Sequence, residues 1–200
     1  MQCRPGLSIE KERTFLNGWG ATSIHYRQEV AMVWGNLMLF YVGAVLFCNG
    51  LWILGKIEDR ELAIIDFFVG GLGVVVCIDA AIKGNQLFAA QIFLFAFTYL
   101  WVALNRFLGV DGRGLGWFCL FVAISAMPFG IWQLFTCGGK LWPFWSAINW
   151  ISWAFLWFMF WVLLALQREK VANFVGWLTL IQGIYTAWIP GWLLLTGVMK

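Results

Sequence analysis

The sequence predicts an all-α integral membrane protein of six transmembrane helices, arranged as three helical hairpins. Three observations carry this. Of its 200 residues, 62% are hydrophobic and only 12% charged, which is not the composition of a soluble globular domain. Six apolar runs reach about 20 residues, the length that crosses a bilayer as helix. The linkers between them, KIEDRE, KGNQ, VDGRG, TCGGKLWP and QREKVAN, are short. Consecutive helices must therefore run antiparallel, and no extramembrane domain fits between them.

Residues 1–31 precede the first span. They lack the apolar core of a signal peptide and show no helical periodicity, so they read as a polar N-terminal extension, either a disordered, dispensable tail or a mis-assigned start. A six-helix transmembrane domain is expected over residues 32–200, with the functional chain beginning near Met32. The spans run over about Val33–Gly55, Leu62–Ile82, Leu87–Gly109, Leu115–Phe135, Phe144–Leu166 and Phe174–Gly197. The even spans open on related patterns: DFFVGG at Asp66–Gly71, CLFVAI at Cys119–Ile124 and NFVGW at Asn173–Trp177. Their Phe-Val steps are evenly spaced. The first and third spans both reach an asparagine before leaving the membrane, Asn49 and Asn105. Duplicated hairpins are a recurrent plan in transport proteins.

Basic residues set the orientation. The first, third and fifth linkers with their flanks hold Lys56, Arg60, Arg106, Arg113, Arg168 and Lys170, against Lys83, Lys140 and Lys200 on the other side. The odd linkers are expected to be cytoplasmic and both termini external. Arg4, Lys11, Arg13 and Arg27 argue the opposite way, a conflict that vanishes if the chain starts near Met32.

The composition also excludes chemistry. A formal net charge of +3 with no basic stripe gives no reason to propose nucleic acid. The five cysteines form no CxxC pair, so neither a disulfide frame nor a zinc site is suggested. The one histidine, His25, lies in the polar N-terminal segment, leaving no imidazole in the membrane for catalysis, metal binding or proton relay. No cofactor is expected.

Polar residues inside a bilayer are the informative ones. Asp66, at the mouth of span two, reads as a helix N-cap. Asp79 lies four residues before Lys83 and reads as an interfacial pair. Deeper candidates are Asn49, Thr98, Tyr99, Ser125, Asn149 and Gln182. A neutral amide such as Gln182 must find a partner at mid-membrane. That partner is either a neighbouring helix or whatever passes through a pore.

The stretch NWISWAFLWFMFW sets Trp150, Trp153, Trp157 and Trp161 at spacings of three, four and four, one stripe of a helix. Large aromatics fill space between helices, and this row could do only that. Span three adds Phe95 and Tyr99, four apart on one face. Two facing aromatic stripes would make a narrow, flat-sided slot with scattered N–H and O–H groups. Such a slot suits a small, uncharged, planar, hydrogen-bonding solute. Ions are disfavoured, because no charged ring offsets their dehydration. No P-loop supports ATP-driven pumping, and no carboxylate sits firmly at mid-membrane to support ion coupling, which leaves passive facilitation.

The stretches LMLFYVGAVLFCNGLW, DFFVGGLGVVV, LFAFTYLWVALNRFLGVDGRGLGWFCLFVAI and GIYTAWIPGWLLL resemble the AmiS/UreI family, in order over Trp34–Val198. That family comprises the acid-activated urea channel of gastric bacteria and short-chain amide transporters encoded beside aliphatic amidases. The resemblance implies a twisted six-helix bundle with a pore in each protomer, a homohexameric ring, and passage of acetamide, propionamide and urea. It implies a functional link to a cytoplasmic amidase or urease. Phe95, Tyr99, Trp150, Trp153 and Trp157 match the family's pore aromatics. Val42, Leu46 and Leu156 match aliphatic positions of its external constriction. Asn49 and Gln182 join them as polar candidates, and Trp161 carries over less securely.

This chain departs from the urea channel in three places. Its second linker, KGNQ, has no histidine, and Gln182 stands where the urea channel has glutamate. Both predict a pathway open at neutral pH. Ser146 replaces a pore aromatic, which predicts a wider inner mouth for acetamide- or propionamide-sized solutes. The VDGRGLGWFCLFVAI segment is closer to the amide-transporter branch. The alternatives are a urea channel serving a urease, a membrane-embedded enzyme, and a non-transporting scaffold or sensor. The enzyme lacks any HExxH, GxSxG or paired carboxylates, and for the scaffold the short linkers leave little surface for a soluble partner.

Overall fold

A computed structural model describes residues 34–199. The expectations for residues 1–31, and the start near Met32, lie outside the described residues. Six helices are long and apolar enough to cross a membrane: α1 (Trp34–Ile53), α2 (Asp59–Ile82), α3 (Gln86–Leu108), α4 (Arg113–Thr136), α5 (Leu141–Ala165) and α6 (Glu169–Leu195). No strand occurs among the described residues.

Several helices begin up to a turn or so before their apolar runs. Asp59 and Glu61 occupy the first turn of α2, and Glu169 opens α6. A helix start leaves four N–H groups unpaired and favours acidic side chains, so polar linker residues are drawn into the first turn. Between helices, Asn85 caps α3 by accepting from the Phe88 N–H at 3.3 Å. Gly109 ends α3 in the left-handed region at φ 67° while its N–H returns to the Asn105 carbonyl, a conformation glycine adopts without steric cost. Asp79 and Lys83 pair at 2.7 Å near the end of α2, as their spacing predicted.

The repeat is visible in burial. Phe68, Phe121 and Phe174 are all exposed on the outer, lipid-compatible surface, while Val69, Val122 and Val175 are all buried. Small residues follow at Gly70, Ala123 and Gly176. Successive hairpins pack along one another: α2 lies along α3 and α4 along α5. α6 closes the ring against α1.

Glycines make these seams. A side-chain carbon at Gly43 would lie 2.5 Å from the Trp188 backbone nitrogen, and one at Gly191 would lie 2.7 Å from that of Phe40. Gly50 and Gly183 meet the opposite helix as closely, and Gly116 does the same between α4 and α5. Small residues at such interfaces let backbones approach in the absence of a hydrophobic driving force between helices in lipid.

Asp66 corrects the capping expectation. α2 starts seven residues earlier, at Asp59, so Asp66 lies about 10 Å along the helix. It is fully buried and accepts from Asn49 Nδ2 at 3.1 and 3.2 Å. A carboxylate does therefore sit inside the bundle, which the sequence reading had discounted. The apolar residues around it hid the fact that the helix had already begun.

Candidate functional site

Two cavities lie at opposite ends of the bundle; the one that reaches the third linker is labelled inner and the other outer. The larger, about 680 Å³, opens between the start of α1, the α2–α3 linker, the end of α4 and the start of α5; Val42, Asn85, Gln133, Ser146 and Trp150 line it. The smaller, about 50 Å³, is several times what one water needs. It is walled by Leu46, Asn49, Tyr99, Asn105, Leu156 and Trp157 and reaches Arg106 and Gly112 at the third linker. Phe95 and Trp153 are the two residues common to both walls.

The wall of the inner cavity comes mainly from the odd helices, which the repeat brings together at the centre. α3 presents Phe95 and Tyr99 one turn apart, and α5 presents Trp153 and Trp157, with Trp150 on the same stripe at the outer cavity. All five are buried. The Phe95 ring touches each indole: centroids are 5.8 Å from Trp150, 4.8 Å from Trp153 and 4.8 Å from Trp157. Tyr99 stands 6.4 Å further along. Tilted and edge-on contacts of this kind suit the ring quadrupoles.

The Trp153 indole is held by Thr186, which lies in an irregular stretch of α6. Residues Gly183–Trp188 form a π-helical stretch, followed by Pro190. Proline has no N–H to give the carbonyl four residues back, here that of Thr186. α5 supplies the missing donors. Asn149 Nδ2 donates to the Thr186 carbonyl at 2.7 Å and Trp145 Nε1 to the Tyr185 carbonyl at 3.1 Å. Trp153 Nε1 donates to the Thr186 hydroxyl at 2.8 Å, and that hydroxyl donates to the Gln182 carbonyl at 2.5 Å. Tyr185 donates to Ser152 at 2.9 Å. Sequence reading noted the tryptophans and Asn149 but could not see that a π-turn makes carbonyls for them.

The predicted site residues divide as follows. Phe95, Tyr99, Trp153, Trp157, Leu46, Leu156 and Asn49 share the inner cavity, while Val42 and Trp150 line the outer one. Val42, Leu46 and Leu156 therefore do not form one external ring: the aromatic waist separates Val42 from the other two. Gln182 lines neither cavity. It is buried beside Gly183, which packs on Leu46 and Phe47 of α1, and its Oε1 has no partner among the described residues. Trp161, where the helix turns from α to π geometry, lines neither cavity; its ring packs on Trp117 and Phe158.

Ser146 lies in the larger cavity, beside Asn85 of the second linker. It accordingly borders the larger cavity, at the end of the bundle opposite the basic odd linkers. Its hydroxyl donates to Gln133 Oε1 at 3.2 Å.

Three residues missed by sequence reading border the inner end. Trp52 Nε1 donates to Asp59 at 2.6 Å, Arg106 pairs with Asp59 at 3.5 Å, and the Arg106 guanidinium covers the Trp52 ring at 5.1 Å. The available signal was a tryptophan and two opposite charges at the ends of adjoining spans. Among the described residues no cluster of side chains could hold a metal ion.

Comparison with known proteins agrees with this architecture. The model of the AmiS/UreI family transporter matches residues 34–198. A Mycolicibacterium smegmatis relative, described as an amidate substrates transporter protein, is 45% identical over 168 residues, covering 82% of this chain and 77% of its own. The acid-activated urea channel of Helicobacter pylori is 35% identical over 188 residues, covering 80% of this chain and 96% of its own. The crystal structure of the Helicobacter pylori urea channel superposes with a TM-score of 0.73 at 35% identity, covering 82% of this chain and 99% of that one. The chain, a multi-pass membrane protein, belongs to the AmiS/UreI family of transporters.

Proposed function

We propose that the chain is a passive transmembrane facilitator for small neutral amides, acetamide and propionamide, and for urea. One observation carries the reading: cavities from opposite ends of the bundle approach each other at Phe95 and Trp153, the two residues that line both. An uncharged aromatic waist rejects ions, which have nothing there to replace their hydration. A flat amide can slide between ring faces. The names of the relatives point to the same solute class. Transport, not catalysis, is the activity this reading assigns.

In this reading the protein sits in the bacterial inner membrane with both termini external, supported by the basic odd linkers. It assembles as a homohexamer with one pathway per protomer and serves a cytoplasmic amidase. A urea channel feeding a urease is the second reading, favoured by the likeness to the urea channel.

Stopped-flow light scattering on proteoliposomes tests the proposal. Acetamide and urea entry would be compared at pH 7 and pH 5 for wild type and Trp157→Ala. Fast entry at pH 7, altered by the substitution, supports it. Entry no faster than in empty liposomes, with insertion verified, overturns it.

A further inference from the structure

We propose that Asp66 is a positioning residue that turns the amide of Asn49 so that its oxygen faces the inner cavity, making an acceptor for the N–H groups of the solute. The inference rests on the reading of the chain as an amide pathway and adds to it a polar reading step on the inner side of the aromatic waist.

The geometry fixes which end of the Asn49 amide faces where. Nδ2 lies 2.9 Å from the Val45 carbonyl and 3.1 and 3.2 Å from the two Asp66 oxygens. A carbonyl can only accept, so the nitrogen, not the oxygen, must face Val45. Amide ends are assigned from such networks, and this one admits a single assignment. Val45 and Asp66 together take both N–H groups. Oδ1 is left as the remaining function, on a residue that lines the inner cavity, and nothing donates to it among the described residues. A buried carboxylate is costly inside a bundle and marks function when it persists there; holding Asn49 gives this one a purpose.

The same cavity supplies the complementary group. Asn105, also 4% exposed, lines the same cavity, and its Nδ2 has no partner among the described residues. Gly112 borders that nitrogen: a side-chain carbon there would lie 3.5 Å from it. The terminal torsion of asparagine is broad, so a modest rotation turns the donor inward. An amide or urea carries both N–H and C=O, and Asn49 and Asn105 offer one acceptor and one donor to match. The two asparagines that stand out at the ends of the first and third spans thus meet at one cavity.

The test uses full-length protein in proteoliposomes, with urea, acetamide and water entry measured side by side. Asn49→Leu and Asp66→Leu should each slow urea and acetamide about 5- to 10-fold, the scale of one lost hydrogen bond, while osmotic water entry changes less than about twofold. Water exchanges partners with other waters and does not need the oriented oxygen. The exchanged pair Asn49→Asp with Asp66→Asn puts a carboxylate oxygen in the cavity and should recover solute entry to within about twofold of wild type. That rescue separates positioning from mere support of the fold, and with Asn49→Leu it decides the matter should Asp66→Leu fail to insert. Unchanged solute entry in Asn49→Leu, or water falling in parallel with solutes, overturns the inference while leaving the amide pathway standing. A wild type that passes neither solute overturns the proposed function first.

Discussion

The rings of Phe95 and Trp153 meet edge-on, with centroids 4.8 Å apart and planes at 83°. Each belongs to the wall of both cavities, so any solute moving between the ends of the bundle must part or pass these two rings. Their freedom differs. Trp153 is tied to Thr186 through its N–H, whereas Phe95 has no polar atom and is held by packing alone. Phe95 is thus the movable member of the pair.

Phe95→Ala should therefore enlarge the waist and weaken size discrimination. The ratio of butyramide to acetamide entry should rise at least about threefold, as one or two added methylenes are worth roughly 1–3 kcal/mol of rejection in a fitted pocket. Phe95→Leu should fall between. Solute-swelling rates in proteoliposomes give the ratio directly. An unchanged ratio would place the size filter elsewhere.

Thr186→Val removes the acceptor of Trp153 at nearly constant volume and leaves a buried indole N–H unpaired. The cost should be about 1–2 kcal/mol, read as a lower thermal midpoint in detergent. Thr186→Ser should restore most of it. The indole would also rotate more freely, so tryptophan fluorescence anisotropy should drop in Thr186→Val.

Much of this was legible in the sequence. Composition and run length announced six helices, and the three-four-four spacing put Trp150, Trp153 and Trp157 on one stripe. The sequence did not show that the cavity wall stops short of Trp161, because spacing gives a residue's face on the helix and not where a cavity ends. Gln182 and Ser146 misled for a related reason. A residue's depth can be counted along a helix, but the direction in which it points and the end of the bundle it borders depend on how the helices close into a ring. Asp66 was misread because a charged residue beside an apolar run resembles a helix start, when the start lay two turns earlier among the linker's own acids.

Acid should change little. Among the described residues no carboxylate or histidine lines the outer cavity, and acetamide entry at pH 5 should stay within about twofold of that at pH 7. At the third linker the Arg113 backbone N–H, then its guanidinium, hold Asp111 below the usual carboxylate range. A lowered value means the turn is supported above the ordinary carboxylate pKa of about 3.9 and loses that support only as pH falls through the still lower native value. Thermal midpoints should therefore not fall through titration of this turn between pH 7 and pH 5. A steep loss in that window that Asp111→Asn abolishes would contradict the assignment.

The glycine seams give the sharpest stability prediction, because two glycines of one chemistry should respond with opposite signs. At Gly43 a methyl would strike the Trp188 backbone at 2.5 Å, whereas at Gly71 nothing lies within 4 Å. Backbone cannot swing aside as a side-chain tip can, so Gly43→Ala must push α1 from α6. That separation would break the contact that closes the ring of helices, and overpacking of this kind typically costs about 1–3 kcal/mol. Gly71→Ala adds a methyl in open space and removes backbone freedom from the unfolded chain, which stabilises a helix by roughly 0.5–1 kcal/mol. Thermal unfolding followed by tryptophan fluorescence should show the midpoint falling for Gly43→Ala and holding or rising for Gly71→Ala. Equal, small shifts in both would mean that α1 and α6 are not in backbone contact in the folded protein.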